Sequence, residues 1–424
     1  MDMDTLSAVE KKAPLSQLIR SLGPGILMAS AAVGGSHLVS STQAGALYGW
    51  QLAILILLVN LFKYPFFKAG IQYTMGTGET LVEGYAKLGR PYLWLFVFLA
   101  IFAGIISCAA LLLFSASLLG YFIPVAISST WLCVAVLIVC LAILFIGHFQ
   151  ALNSISKVIM AALTIATLAA VIMAAIHPAT PTVPEAEAAS PWTLAAIGFL
   201  VITMGWMPAP IELSSITSMW LKSQRQQQSV SAQSALFDFN VGYIGTALLA
   251  VVFLALGKFV LYGTGVELAK SGVGFSHQLV GLYASTIGEW SRYLIAVIAF
   301  FCIFGSTITV IDGYARVLAE SQRLLKNQDQ YTPQVLKTWH VVIPVAALII
   351  ILFFASSLMG MLDFAMIMAF MTTPIFALFN YLLVTRTKLP AELRVGPKLM
   401  LLSRIGLLYL FGFLAVFIWW KWFM

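Results

Sequence analysis

The sequence predicts an all-α integral membrane protein of about eleven transmembrane helices: two inverted repeats of five helices and one extra C-terminal helix. Three observations support this fold class. Of the 424 residues, 61% are hydrophobic and only 9% are charged, whereas an average soluble domain has roughly 25% charged residues. About eleven apolar stretches approach or exceed the roughly 20 residues that cross a bilayer. Two of these stretches are interrupted at matching depth, one by glycines and one by prolines.

The spans follow one another along the whole chain. They are expected near residues 23–48, 51–72, 92–119, 124–147, 150–176, 193–220, 236–262, 290–318, 339–359, 361–385 and 401–423. Because five is an odd number, the second set of five spans enters the membrane from the opposite side, which is the inverted-repeat arrangement.

The domain organisation follows from these spans. Residues 1–20 are predicted to form a cytoplasmic N-terminal segment and residues 21–424 a single transmembrane domain. Within that domain, repeat one covers about 21–176, repeat two about 192–385 and the extra helix about 401–423. The soluble pieces are small: a Pro-rich outside linker at 177–192, and an outside loop at 263–289 with a possible short helix from about Ser276 to Ile287.

The basic residues predict the orientation. With the N-terminus inside, 19 of the 23 Lys and Arg residues, Lys63 and Lys222 among them, are assigned to cytoplasmic ends and loops. This distribution follows the positive-inside rule for a cell-membrane protein. The net charge of +7 is thereby explained by topology and anionic lipid, and nucleic acid is not expected as a partner.

The two interrupted spans point to the function. The first span breaks at residues 33–37 (VGGSH), and the sixth breaks at residues 204–210 (MGWMPAP). A bilayer offers backbone groups no water, so a helix can open at mid-membrane only where it lines an enclosed site. Paired interruptions of this kind are typical of the substrate site of a secondary transporter.

Several motifs resemble the NRAMP (natural resistance-associated macrophage protein) family of divalent-metal transporters, within the amino acid, polyamine and organocation superfamily. The motifs are GPGILMAS at 23–30, AGALYGW at 44–50, MGTGETLVEGYAKLGRP at 75–91, FQALNSISKVI at 149–159, GSTITVIDGYA at 305–315 and LDFAMIMAFMTTP at 362–374. The resemblance covers essentially the whole chain. It implies that family's fold and alternating access, with divalent metal transport as the expected activity and H⁺ or Na⁺ as the coupling ion.

The positions that the family uses to bind metal are changed. Its Asp-Pro-Gly-Asn signature falls on Gly34, Gly35, Ser36 and His37, so that glycine replaces the metal-binding carboxylate. Its Met-Pro-His signature reads Met207-Pro208-Ala209. By resemblance, the remaining metal ligands would be His37 and Met207. The glutamine of the tenth span is Met366, and free carbonyls are expected near Ala31 and Met204.

Two substrate classes therefore stay open. Imidazole and thioether ligands suit softer metals than Mg²⁺ or Mn²⁺, and Glu212 is the one nearby acid that could stand in for the lost carboxylate. Alternatively, the Gly34-Gly35-Ser36 break resembles loops that hold a substrate carboxylate by free backbone N–H groups. The alternative substrate is then a small amino-acid-like solute, with Glu212 or His37 meeting its amine.

Coupling-ion candidates lie in the eighth span. By resemblance, Ser306 and Thr307 would hold Na⁺ against first-span carbonyls, while Glu212, His37, Asp238 and Asp312 are candidates for proton coupling. Asp238 is expected to be a helix cap. We expect neither enzymatic activity nor a cofactor, because the sequence carries no HExxH or GxSxG motif, and the four cysteines are expected to be packing residues.

Overall fold

The computed structural model describes residue 18, residues 22–125, 127–146, 149–178 and 190–424, with residues 149–157 described by their backbone. These ranges are helical with short connections, so the all-α class is confirmed. The helices are α1 (Pro24–Ala32), α2 (Thr42–Tyr48), α3 (Ala53–Thr77), α4 (Leu81–Leu88), α5 (Arg90–Gly120), α6 (Ser129–Ile146), α7 (Phe149–Ile176), α8 (Ile197–Gly205), α9 (Leu213–Gln227), α10 (Ala232–Val260), α11 (Gly272–Ile287), α12 (Arg292–Leu325), α13 (Pro333–Phe354), α14 (Leu358–Arg386) and α15 (Pro397–Phe423).

Nine helices in the described ranges are long and apolar enough to cross a membrane. They correspond to the predicted spans other than the first and the sixth. Those two spans are each divided: α1 and α2 form the first, and α8 and α9 form the sixth. The short helix expected in the loop 263–289 is α11, whereas most of the linker 177–192 and of the segment 1–20 lies outside the described residues.

The first span opens after Ala32 and resumes as a π-helical segment, Ser36–Ser41, that continues directly into α2. Single π-helical turns inside α-helices are frequent at functional sites. In the sixth span, α8 ends at Gly205 and α9 begins at Leu213. Pro208 and Pro210 in this gap have no N–H group, so they cannot continue the helical hydrogen bonds.

Close helix packing holds the first span against α10. A Cβ atom built on Gly25 would lie 2.3 Å from the carbonyl oxygen of Asp238, and one built on Gly257 would lie 2.0 Å from that of Thr42. Only glycine allows this approach, and small residues at such crossings are typical of membrane helices. The broken helix is therefore fixed in place by the unbroken α10.

Candidate substrate site between the two broken helices

The two breaks face each other across a small, mostly apolar cavity. A Cβ atom built on Gly35 would lie 2.9 Å from the Trp206 ring, so the two breaks are in direct contact. Helices α5 and α12 complete the walls. The cavity is lined by Ala31, Ala32, Gly34, Gly35, Ser36, Ser107, Leu111, Trp206, Ala209, Pro210, Leu213, Val310 and Tyr314.

Among the described residues, the side chains that line this cavity carry no formal charge. The first break presents the start of the continuous helical stretch from Ser36 to Tyr48. The first N–H groups of a helix have no partner within it, and this end of a helix carries a partial positive charge. From the second break, Trp206 contributes a buried indole whose Nε1 has no hydrogen-bond partner in the described part of the chain. The arrangement suits a ligand that brings its own acceptor oxygens.

Glu212 lies behind the cavity wall. Its side chain is 2% exposed, and its Oε1 accepts a hydrogen bond of 3.1 Å from the hydroxyl of Tyr314, which does line the cavity. Its Oε2 has no hydrogen-bond partner among the described residues. Tyr314 thus links a buried carboxyl group to the cavity.

Lys63 occupies the carbonyl end of α8. Its side chain is 0% exposed, and its Nζ donates to the carbonyl oxygens of Met204 at 2.7 Å, Gly205 at 3.0 Å and Ala209 at 3.4 Å. The last carbonyls of a helix have no intrahelical partners and carry partial negative charge. An ammonium group has three donors for three acceptors, and the carboxylate of Glu212 adds an electrostatic attraction.

The assignment of Lys63 to the cytoplasmic ends and loops was wrong. The residue lies inside α3, in the interior of the protein. Lys63 was counted among the basic residues that set the orientation, so it was not recognised as a residue of the membrane interior. An ionisable residue within a membrane span is by default a functional candidate. Two further residues at the cavity were also missed: Trp206, which nothing in the sequence separates from the other packing tryptophans, and Tyr314.

The structure brings together part of the predicted substrate site. Ala31, Gly34, Gly35 and Ser36 line the cavity. His37 does not: its Nδ1 lies 2.8 Å from Ser36 Oγ and its Nε2 lies 3.0 Å from the carbonyl oxygen of Thr246 in α10. Both ring nitrogens are therefore engaged, and the imidazole faces α10, so this geometry does not support His37 as a ligand.

The three predicted methionines are buried but are not part of the cavity lining. The sulfur of Met204 accepts a hydrogen bond of 2.9 Å from Tyr409 in α15, and its carbonyl is bound by Lys63. A Cβ atom built on Gly205 would lie 2.0 Å from the carbonyl oxygen of Met366. Met207 is fully buried beside the second break. In this geometry none of the three thioethers faces the cavity.

The coupling-ion candidates separate into two groups. The Ser306 hydroxyl donates to the first-span carbonyl of Ser30 at 3.2 Å, whereas Thr307 bonds to Leu111 in α5. Asp312 accepts from Arg316 at 2.6 Å and lies 3.1 Å from the His340 ring, so its charge is compensated within α12 and α13.

Asp238 is a cap, but not of its own helix. The N-cap of α10 is Ser231. Asp238 instead accepts from the N–H groups of Gly23 at 3.0 Å, Gly25 at 2.6 Å and Ile26 at 3.2 Å, and so caps α1. A carboxylate at a helix N-terminus satisfies the orphan donors and the dipole together.

Comparison with known proteins agrees with this architecture. The chain is 50% identical over 418 residues to an uncharacterized protein of Pasteurella multocida, covering 98% of this chain and 96% of that one. Among solved structures, a variant of the Eremococcus coleocola manganese transporter has a TM-score of 0.74 at 13% identity, over 98% of this chain and 89% of that one. A nucleobase-cation-symport-1 family transporter with bromovinylhydantoin bound has a TM-score of 0.58 at 13% identity, over 94% and 92%.

The distant structural matches show the fold. The family model described as natural resistance-associated macrophage protein-like matches residues 25–420. This match covers both broken spans and nearly all the helices around them. The chain is therefore a multi-pass membrane protein that belongs to the Nramp family of transporters.

Proposed function

We propose that this protein is a secondary transporter that carries a small, carboxylate-bearing organic solute by alternating access to the cavity between its two broken helices. The observation that carries the proposal is the chemistry of that cavity. Apolar walls from residues such as Leu111, Leu213 and Val310 lie beside the start of the helical stretch at Ser36 and beside Trp206, whose indole N–H has no partner among the described residues. The substrate would place its carboxylate on the N–H groups at Gly34–Ser36 and its carbon skeleton against the apolar walls.

The charges around the cavity favour an anionic or zwitterionic substrate. Gly34 replaces the carboxylate that would repel a substrate carboxylate. The start of a helix is a ready anion site, and Lys63 places a positive charge behind the opposite break.

Transport of a metal cation is the second candidate, and membership of the Nramp family favours it. In this chain a metal ion at the carbonyls of α8 would have to share them with Lys63. Two unit charges 4 Å apart repel by about 4 kcal/mol at an effective dielectric constant of about 20, and a dication is repelled by about twice that. Metal binding would therefore require Lys63 to leave or to lose its proton.

A proton is the coupling ion that the site supports best. Glu212 is a buried carboxyl group with one unpartnered oxygen, joined to the cavity by Tyr314. Substrate binding and protonation would then both take place at the cavity wall that contains Tyr314. Na⁺ at Ser306 and the carbonyl of Ser30 is the alternative, because these two oxygens lie 3.2 Å apart.

A binding screen of the purified protein tests the substrate class. Thermal unfolding is followed with a panel of small hydroxy, keto and amino acids, and with Mn²⁺, Mg²⁺ and Zn²⁺. We expect stabilisation by at least one carboxylate and none by the metals. If a metal stabilises the protein and no carboxylate does, the second candidate, transport of a metal cation, is correct.

Trp206→Phe then locates the binding site. Loss of its indole N–H removes a donor to a charged acceptor, worth about 1.5–3 kcal/mol, so we expect the Kd of the identified carboxylate to rise at least about tenfold. Trp220→Phe is the matched control, because it removes a buried, unpartnered indole N–H on α9 outside the cavity. Equal effects of the two substitutions would place the binding site elsewhere.

A further inference from the structure

We propose that Lys63 is a tethered cation that permanently fills a cation-binding site of the protein. The site consists of the carbonyl oxygens of Met204, Gly205 and Ala209 at the second break, which accept from Lys63 Nζ at 2.7, 3.0 and 3.4 Å. Removal of the side chain would leave a cavity selective for a small monovalent alkylammonium ion. The inference is independent of which solute the protein carries.

The geometry of the three contacts supports a charged ligand. A carbonyl oxygen only accepts hydrogen bonds, so three such contacts use all three donors of an ammonium group, whereas a neutral amine has two. Because Pro208 and Pro210 cannot continue the helix, the carbonyls on either side of them have lost their intrahelical partners. The chain therefore contains a built acceptor cage at the negative end of α8.

The surroundings also compensate a single positive charge. Lys63 is 0% exposed, and Glu212, itself 2% exposed, acts on it electrostatically. A buried charge is tolerated only when it is paired or well hydrogen-bonded. One carboxylate and three carbonyl dipoles balance one ammonium but leave a dication under-compensated. The site is thereby specific for charge as well as shape.

This assignment concerns one of the positions that the family resemblance offers to a transported ion. The carbonyl near Met204 is the one that the family resemblance offers to a transported ion, and here it is bound by a residue of the protein. A covalently attached ammonium does not dissociate, so the site is filled at every ion concentration. The carbonyl oxygens of the second break therefore need no soluble cation as a partner.

Chemical rescue tests the proposal. Lys63→Ala removes three carbons and the ammonium, which n-propylammonium replaces atom for atom. We expect Lys63→Ala to unfold at a lower temperature than the wild type, and n-propylammonium to restore the midpoint. Half-saturation should occur at a concentration at least about tenfold lower than for neutral 1-propanol, because the lost contacts are charge-assisted. Choline chloride at equal ionic strength corrects for salt effects.

Lys68→Ala is the matched control. It removes the same atoms from the same helix, but Lys68 is only partly buried and its Nζ lies over the Tyr64 ring at 5.5 Å. n-Propylammonium should not raise its unfolding midpoint. Equal rescue of both variants, or no rescue of a folded Lys63→Ala protein, would overturn the proposal.

Lys63→Met decides the case in which Lys63→Ala fails to fold. Methionine fills the side-chain channel but leaves the three carbonyls unpaired. If Lys63 is a packing residue only, this variant keeps the wild-type unfolding midpoint, and the proposal is wrong. If Lys63 is a tethered cation, Lys63→Met lowers the midpoint or abolishes folding, while Lys68→Met leaves it unchanged.

Discussion

Glu212 is the residue whose surroundings are most unusual for a membrane interior. One carboxyl oxygen accepts from Tyr314 at 3.1 Å and the other has no hydrogen-bond partner in the described ranges. Buried polar atoms without partners are uncommon in native proteins and need an explanation. A carboxyl group that alternately binds and releases a proton during transport supplies one, because the unpartnered oxygen is free to carry the proton.

Glu212→Gln should uncouple transport from the proton gradient. The amide is close in shape but cannot be protonated in this way, so uptake of the carboxylate found in the screen should no longer accelerate when an inward proton gradient is imposed on proteoliposomes. Binding should change by less than about threefold, since Glu212 does not line the cavity. Asp363→Asn, which neutralises a partly buried acid of α14, serves as the control. Full gradient dependence in Glu212→Gln would exclude this role.

At single residues, the sequence predicts position where backbone chemistry dictates it. A glycine-rich break predicts exposed N–H groups, and Gly34, Gly35 and Ser36 do line the cavity. The sequence does not predict the direction of the His37 side chain, because that direction depends on tertiary partners, here the carbonyl of Thr246. Lys63 was missed for a different reason. Its sequence position inside an apolar segment was visible, but its carbonyl partners are about 140 residues away in the chain.

At the scale of elements, α1 depends on the rest of the protein. It has nine residues, and isolated helices shorter than about 12–15 residues are marginal in water. Its N-terminus is capped by Asp238 from α10 through three backbone N–H groups. The sequence predicted the break in this span. It could not show that the cap comes from a helix more than 200 residues away, because a capping residue is recognisable from sequence only when it is local.

Asp238→Ala should destabilise the protein, because it removes the N-terminal cap of α1. Three N–H groups lose a charged acceptor, so we expect a loss of about 2–3 kcal/mol of unfolding free energy, measured by denaturant titration in detergent. Ser231→Ala is the comparison, since it removes the local cap of α10 and should cost about 1 kcal/mol. If the two substitutions cost the same, the remote cap contributes no more than an ordinary one.

At the scale of the whole molecule, an ion-pair network joins three helices, α4, α9 and α12. Glu83 of α4 accepts from Lys222 at 2.8 Å and lies 3.3 Å from Arg323, which also pairs with Glu320 at 2.7 Å. Hydropathy predicted which helices cross the membrane, because lipid imposes their length. Hydropathy carried no information on which helices contact one another, since ion pairs between helices far apart in sequence leave no periodic signal.

This network should hold one side of the transporter closed. Burial of Glu83 alone would raise the pKa of its carboxyl, but hydrogen bonds from Lys222 and from the Thr80 N–H outweigh burial and hold the pKa below its usual range. A carboxyl group whose pKa is lowered stabilises the paired state fully above its unpaired pKa, about 4.3. That stabilisation is lost as the pH falls through the lowered value.

Lys222→Met should therefore open this side at neutral pH but not in acid. A partly buried ion pair contributes about 1 kcal/mol, a factor of about five in the population of the open state.

A cysteine placed in the cavity wall by Ala209→Cys reports opening through its rate of reaction with dithiodipyridine, a reagent that also reacts with thiols in acid. Since the four native cysteines are all buried, background should be low. The roughly fivefold acceleration at pH 7 should shrink toward unity as the pH falls through the lowered pKa of Glu83, because Glu83 is then protonated in both proteins. Lys87→Met breaks an exposed pair with Glu79 and should leave the rate unchanged. An acceleration that persists in acid would show that Lys222 acts through packing and not through its charge.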